Sequence, residues 1–139
     1  MDLRLKDQLF IIGGATSGFG LAVAEALLSE GAHIIAIARN EEKLAALLAA
    51  YPGQTTTFAG DITAAGEVQR LITQTGNRTV HGILVNSGGP PAKTVAETTL
   101  EDWDAAYYSQ LRWKVELVKA LVPKMIESQY GRVLFLESS

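Results

Sequence analysis

The chain contains no cysteine, which excludes a disulfide framework, a thiolate nucleophile and any cysteine-based metal site. Histidine is nearly absent, with 2 residues. Neither His33 nor His81 has a second ligand type at metal spacing, so both read as strand-end residues and no metal is expected. Lysine and arginine form no cluster and the net charge is −3, which argues against a nucleic-acid partner or an anionic membrane surface. No apolar run approaches the length of a membrane span. Residues 1–7 carry acidic charge where a signal peptide needs a longer apolar stretch. The expected location is cytoplasmic.

The 139 residues, 47% of them hydrophobic and 19% charged, are enough for one domain with its own core. Residues 9–13 read as a short buried strand. They lead into Gly14-x-x-x-Gly18-x-Gly20 and then a stretch, from Leu21 to Leu28, with helical spacing of its apolar residues. A strand feeding a helix through glycines gathers unpaired amides and the positive end of a helix dipole at one point, which suits a pyrophosphate. The spacing is not the common G-x-G-x-x-G, and no Gly-Lys-Ser/Thr follows as a P-loop needs.

Gly31 closes the first helix as a left-handed residue. Residues 32–38 form a nearly continuous apolar run, as in a parallel strand covered on both faces. Asn40 opens a second helix that Tyr51-Pro52-Gly53 ends. The β-branched residues 55–59 predict a third strand, and Val68, Leu71 and Ile72 lie on a third helix. Residues 81–86 read as a fourth strand, followed by the loop Ser87-Gly88-Gly89-Pro90-Pro91. Thr99-x-x-Asp102 matches a capping box, and Glu101, Asp102 and Asp104 complement the dipole of the helix it starts. That helix is expected to be the longest, with an apolar stripe at Trp103, Ala106, Tyr107, Leu111, Val118, Leu121, Val122 and Met125, and a local bend at Pro123. Trp113 also reads as a packing residue. After Gly131, residues 132–136 form a fifth strand. Alternating strands and helices predict a parallel α/β sheet.

Four landmarks in this order resemble the short-chain dehydrogenase/reductase family, over essentially the whole chain. Gly13-Gly14-Ala15-Thr16-Ser17-Gly18-Phe19-Gly20 is similar to its T-G-x-x-x-G-x-G turn, with Gly13 in place of the threonine. Asp61, followed by Ile62, falls where the family holds the adenine ring. Asn86-Ser87-Gly88-Gly89 corresponds to its N-N-A-G motif, keeping the first Asn and the last Gly. At the end of the second strand, where NAD-preferring relatives place an Asp, stands Ala38, with Arg39 next to it. An always-charged planar fork there suits a 2′-phosphate.

The resemblance implies a Rossmann-like doubly wound sheet of strand order 3-2-1-4-5. It implies an NADP(H) cofactor, in preference to NAD(H), held by Gly14, Thr16, Ser17, Gly18, Phe19, Gly20, Arg39, Asp61, Ile62, Asn86, Ser87 and Gly88. The reaction implied is hydride transfer between nicotinamide and a carbonyl or secondary alcohol, 3-oxoacyl thioesters among them, in a homo-oligomer. The family's catalytic Ser falls on Ser138, and its relay Asn on Gln110, an amide one methylene longer. Its Tyr-x-x-x-Lys pair is missing: Tyr51, Tyr107, Tyr108 and Tyr130 are followed four residues later by Thr55, Leu111, Arg112 and Leu134. These residues alone are therefore expected to be inactive, as one dinucleotide-binding domain (1–139) truncated after the fifth strand with the C-terminal strands absent. The alternative is a non-catalytic nucleotide-binding or assembly module. A methyltransferase would share the glycine turn and Asp61 but leaves Arg39 and the Asn86 loop unexplained.

Overall fold

The computed structural model describes residues 2–137. Five parallel strands, β1 (Leu9–Gly13), β2 (His33–Ala38), β3 (Thr55–Ala59), β4 (Gly82–Val85) and β5 (Arg132–Phe135), form one sheet in the order β3-β2-β1-β4-β5. The expected doubly wound order is therefore the observed one. Successive strand residues point to opposite faces, and the central strands are apolar at every step because both faces are covered. Phe10, Ile12, Ile34 and Ala36 pack with α1 (Gly18–Ser29) and α2 (Glu41–Ala50). Ile11, Ile35 and Ile37 pack with α3 (Glu67–Thr75) and α5 (Trp113–Glu127) on the other face. Parallel pairing aligns Gly13 with Ile37 and Ile12 with Leu84, so the carboxyl ends of β1, β2 and β4 open at one edge. The chain leaves β1 toward β2 on one side and β4 lies on the other. Such a switch point leaves a crevice in open α/β sheets.

Local signals hold at the helix ends. The Lys43 amide donates to the Asn40 side chain at 2.9 Å, and Thr99 and Asp102 form a reciprocal capping box. The single long helix does not hold. It is three pieces: α4 (Leu100–Tyr107), a π-helical turn at Tyr108–Arg112, and α5. A π turn inserts one residue, which rotates everything before it by about 100° relative to everything after it. The expected stripe breaks accordingly. Leu121 and Met125 are buried, but Trp103, Tyr107 and Leu111 are exposed, and the core is reached instead by Trp113 (1% exposed) and Leu117. Lys114 is buried beside them at 4% exposure, its ammonium ending on the Glu137 carboxylate. Pro123 does lie inside α5.

The two histidines sit at strand ends. His33 approaches Asp7 at 3.7 Å, and the His81 Nδ1 accepts from the Leu9 amide at 3.1 Å. Among the described residues no group of three or more His, Asp or Glu could hold a metal, and no helix is long and apolar enough to cross a membrane.

Candidate functional site

The carboxyl ends of β1, β2 and β4 and the loops leaving them enclose a cleft of about 920 Å³. Its floor is the glycine turn. Gly14 and Gly18 have φ of +62° and +51°, a region that side chains strain to occupy. A Cβ at Gly20 would collide with the Gly14 carbonyl and lie 2.8 Å from the Gly13 oxygen, so only glycine lets α1 start this close to β1. At Gly13 a Cβ would run into the Asn86 backbone and lie 3.1 Å from the Leu84 oxygen. The threonine of the resembling motif therefore has no room here, and β1 and β4 close up instead. The Asn86 amide Nδ2 spans the gap to the Gly13 carbonyl at 3.3 Å.

The first helical bond of α1 runs from the Leu21 amide to the Ser17 carbonyl at 3.1 Å. The amides of Gly18, Phe19 and Gly20 thus have no helical acceptor. The Ser17 side chain does not cap them, no other side chain among the described residues does, and no acidic residue occupies the first turn. Uncapped donors at the positive end of a helix, beside open space at Gly18, fit a bound phosphate. Thr16, Ser17 and Phe19 line the cleft around them.

Arg39 lies at the β2 end of the cleft, exposed, and makes no hydrogen bond or ion pair among the described residues. Across from it Asp61 Oδ1 accepts from the Thr63 amide and hydroxyl at 3.0 and 2.7 Å. That turn fixes the carboxylate, and its other oxygen makes no hydrogen bond among the described residues. Ile62 is buried beneath. Arg70 ties the same loop from below, donating to the Ala59 carbonyl at 2.7 Å while its guanidinium lies 3.7 Å from the Phe58 ring centroid. The Glu67 carboxylate, hydrogen-bonded to this guanidinium, holds the Arg70 pKa above its ordinary value.

The opposite end is formed by Asn86, Ser87, Gly88, the π turn and α4. Ser87 Oγ is buried there without a partner among the described residues, a hydroxyl left for a ligand or water to satisfy. Gln110 Nε2 donates to the Gly88 carbonyl at 3.1 Å. Ser138 lies outside the described residues. The structure thus brings Gly14, Thr16, Ser17, Gly18, Phe19, Arg39, Asp61, Ile62, Asn86, Ser87, Gly88 and Gln110 to one cleft, while Gly20 is buried and does not line it.

Sequence reasoning missed the wall on this side. Lys93, Thr98, Asp102, Trp103 and Ser109 line the cleft because residues 88–99 fold back over it. Lys93 Nζ donates to both Asp102 oxygens, at 3.0 and 2.9 Å. The one available signal was the Thr99 capping box, which fixes where α4 begins but not what it faces.

The family model described as short chain dehydrogenase matches residues 8–139. The uncharacterised oxidoreductase YvrD of Bacillus subtilis is 32% identical over 141 residues, 99% of this chain and 54% of that protein. L-Sorbose reductase from Gluconobacter frateurii, solved with NADPH and L-sorbose, superposes with a TM-score of 0.87 at 26% identity, covering 97% of this chain and 54% of its own. A 3-oxoacyl (acyl-carrier-protein) reductase from Agrobacterium tumefaciens with NADP bound gives 0.86 at 27% identity, over 96% and 54%. The chain spans about half the length of the relatives it matches.

Proposed function

This chain belongs to the short chain dehydrogenase family of oxidoreductases, and we propose that its cleft binds NADP(H) for hydride transfer between the nicotinamide and a ketone or secondary alcohol, 3-oxoacyl thioesters included. The observation that carries the cofactor reading is Arg39, a guanidinium in the cleft wall where β2 ends that is unpaired among the described residues. A planar fork of donors matches a phosphate bidentately, and an Arg near this position accommodates a 2′-phosphate in dinucleotide folds. The neighbours solved with NADPH and NADP support the same choice.

When bound, the cofactor supplies the hydride. The chain's own residues bind and orient it. The amides of Gly18, Phe19 and Gly20 would hold the pyrophosphate, Asp61 would hold the adenine, and Arg39 would neutralise the 2′-phosphate. Ser138 is assigned to hydrogen-bond the substrate carbonyl. A second reading, nucleotide binding without turnover by these residues, is favoured by the absence of a Tyr-x-x-x-Lys pair, which leaves no proton donor of that type.

The test is titration of the chain with NADPH and with NADH, followed by quenching of Trp103, which is 58% exposed in the cleft wall. Losing one charge-assisted contact in Arg39→Ala should weaken NADPH about 10- to 100-fold and leave NADH unchanged. Equal losses for both nucleotides, or tighter binding of NADH by the wild type, would overturn the phosphate assignment. NADPH consumption with a panel of ketones separates the two readings, since a module without turnover binds but consumes none.

A further inference from the structure

β3 forms one edge of the sheet, paired only with β2 among the described residues. The Gln54 carbonyl accepts from the Ile34 amide at 2.8 Å, and the Gly60 amide donates to the Ala38 carbonyl at 3.0 Å, so positions 54 and 60 face β2. Thr57 and Ala59, out of step with them, turn their carbonyls outward, where an edge strand has no backbone partner. Helix α3 supplies partners from one of its faces. Gln74 Nε2 donates to the Thr57 carbonyl at 2.9 Å, and Arg70 Nη2, one turn earlier, donates to the Ala59 carbonyl at 2.7 Å.

The two contacts differ in their surroundings. The Gln74 amide makes this one bond among the described residues. Arg70 is held more firmly, because the Glu67 carboxylate accepts from its Nε and Nη2 and the guanidinium lies over the buried Phe58 ring. Gly60 leaves room for this pair: a Cβ there would lie 2.6 Å from Glu67 Oε2 and 2.7 Å from Arg70 Nη2. The ion pair thus rests against the backbone that leads from β3 to Asp61. The inner side of the same backbone is bonded to Ala38, next to Arg39. Gly60, Asp61 and Ile62 line the cleft and Arg70 does not.

We propose that Arg70 is a positioning residue for the adenine end of the cleft. By holding the outward Ala59 carbonyl it sets where the Gly60-Asp61-Ile62 loop stands against the end of β2, and so sets the affinity for the adenosine half of the nucleotide. The part concerning affinity rests on the cofactor reading above. Paired with Glu67, Arg70 adds no free charge to the cleft, so its effect passes through the loop. Gln74 serves the strand edge alone, two residues further from that loop.

The test measures dissociation constants for NADPH and for 2′,5′-ADP, the adenosine half with its 2′-phosphate, in the wild type, Arg70→Met and Gln74→Met. Urea unfolding confirms that all three are folded. Arg70→Met should weaken both ligands by the same factor, about tenfold, the scale of one hydrogen bond from a charged donor. Gln74→Met loses a bond on the same strand and should bind both ligands as the wild type does. Equal losses in the two variants would mean that only the strand edge matters. A loss for NADPH without one for 2′,5′-ADP would put the effect elsewhere in the cleft, and unchanged binding by Arg70→Met would leave the residue no part in affinity. Each of these results overturns the proposal. Without nucleotide, NMR order parameters of the Gly60, Asp61 and Thr63 amides should fall below the rigid-backbone value of about 0.85 in Arg70→Met and stay there in Gln74→Met. If the wild type binds neither ligand while Arg70→Met still loosens those amides, the cofactor reading fails and the hold on the loop stands. If the amides stay rigid in Arg70→Met, the proposal fails whatever the nucleotide does.

Discussion

β1 and β5 belong to one sheet with only β4 between them, yet every residue of β1 is buried and none of β5 is. Both are short apolar strands with high β-propensity. β1 pairs on both sides, and its two faces are filled from different helices. β5 pairs only with β4 among the described residues, Val133 alone reaches the α5 core, and Leu134 is 59% exposed. Apolar composition decides that a strand can be buried; its neighbours decide whether it is. The floor of the cleft belongs to the β1 side, where nothing can shift cheaply. The wall carrying Gln110 and Trp103 belongs to the β5 side, where a loop and a π turn hold it.

The largest effect that would break this contrast is on stability. Ile11 is fully buried, and Ile11→Ala should cost about 2–5 kcal/mol by denaturant unfolding. Leu134→Ala should cost no more than about 0.5 kcal/mol, as at an exposed site. Equal costs would mean that the β5 edge is covered in solution and that the two strands are not different in kind. Next in size is Gly20→Ala. Its Cβ meets backbone rather than a flexible side chain, so the penalty should reach the upper part of the about 1–3 kcal/mol seen for overpacking. NADPH binding should disappear with it, because α1 must withdraw from β1 and take its amides along. Retained binding in a folded Gly20→Ala protein would sink that account of the turn.

The same contrast governs what could be read from residues. In the β1 half the signals are local: the apolar run at 33–38, the Asn40 cap, and Gly20, forced by contacts with Gly13 and Gly14 a few residues away. The elements that carry Gly14, Arg39, Asp61 and Asn86 followed from them, while the strand order came with the family resemblance. In the β5 half the decisive facts are tertiary. Nothing in Tyr108–Arg112 marks an added residue, and because it rotates one half of the helical arm, the stripe drawn through Trp103, Tyr107 and Leu111 named the exposed side. Lys93 and Trp103 reached the cleft through a loop whose return no spacing encodes. Trp103 and Trp113 are ten positions apart and look alike in sequence. One lines the cleft and the other locks the core, and only the π turn separates their roles.

The smallest expected effect uses that pair of indoles to sharpen the contrast. At the mouth of the cleft the Asp102 carboxylate accepts from the Thr99 amide at 2.9 Å and from Lys93. The Thr99 bond first, and Lys93 next, hold its pKa below the ordinary aspartate value. The Thr94 hydroxyl, and then the Thr94 amide, hold Glu97 below its ordinary value in the same way. A carboxyl whose folded pKa is depressed stabilises the fold above its unfolded value, about 3.9 for Asp, and that contribution drains away as the pH falls through the folded value. Near neutrality the segment 94–102 is therefore fully tied, and in acid it loosens. Trp103 reports on it, since its Nε1–H donates to Thr98 Oγ1 at 3.0 Å. On acidification its indole N–H resonance should titrate with a midpoint shifted down from the ordinary carboxyl values, while that of Trp113, bonded to Ser109 inside the core, stays fixed until global unfolding. Asp102→Asn retains an acceptor for Thr99 without the charge and should remove the Asp102 share of the response. A Trp113 resonance moving together with Trp103 would show that wall and core loosen as one body, and the division drawn between the two sides of the sheet would fail there.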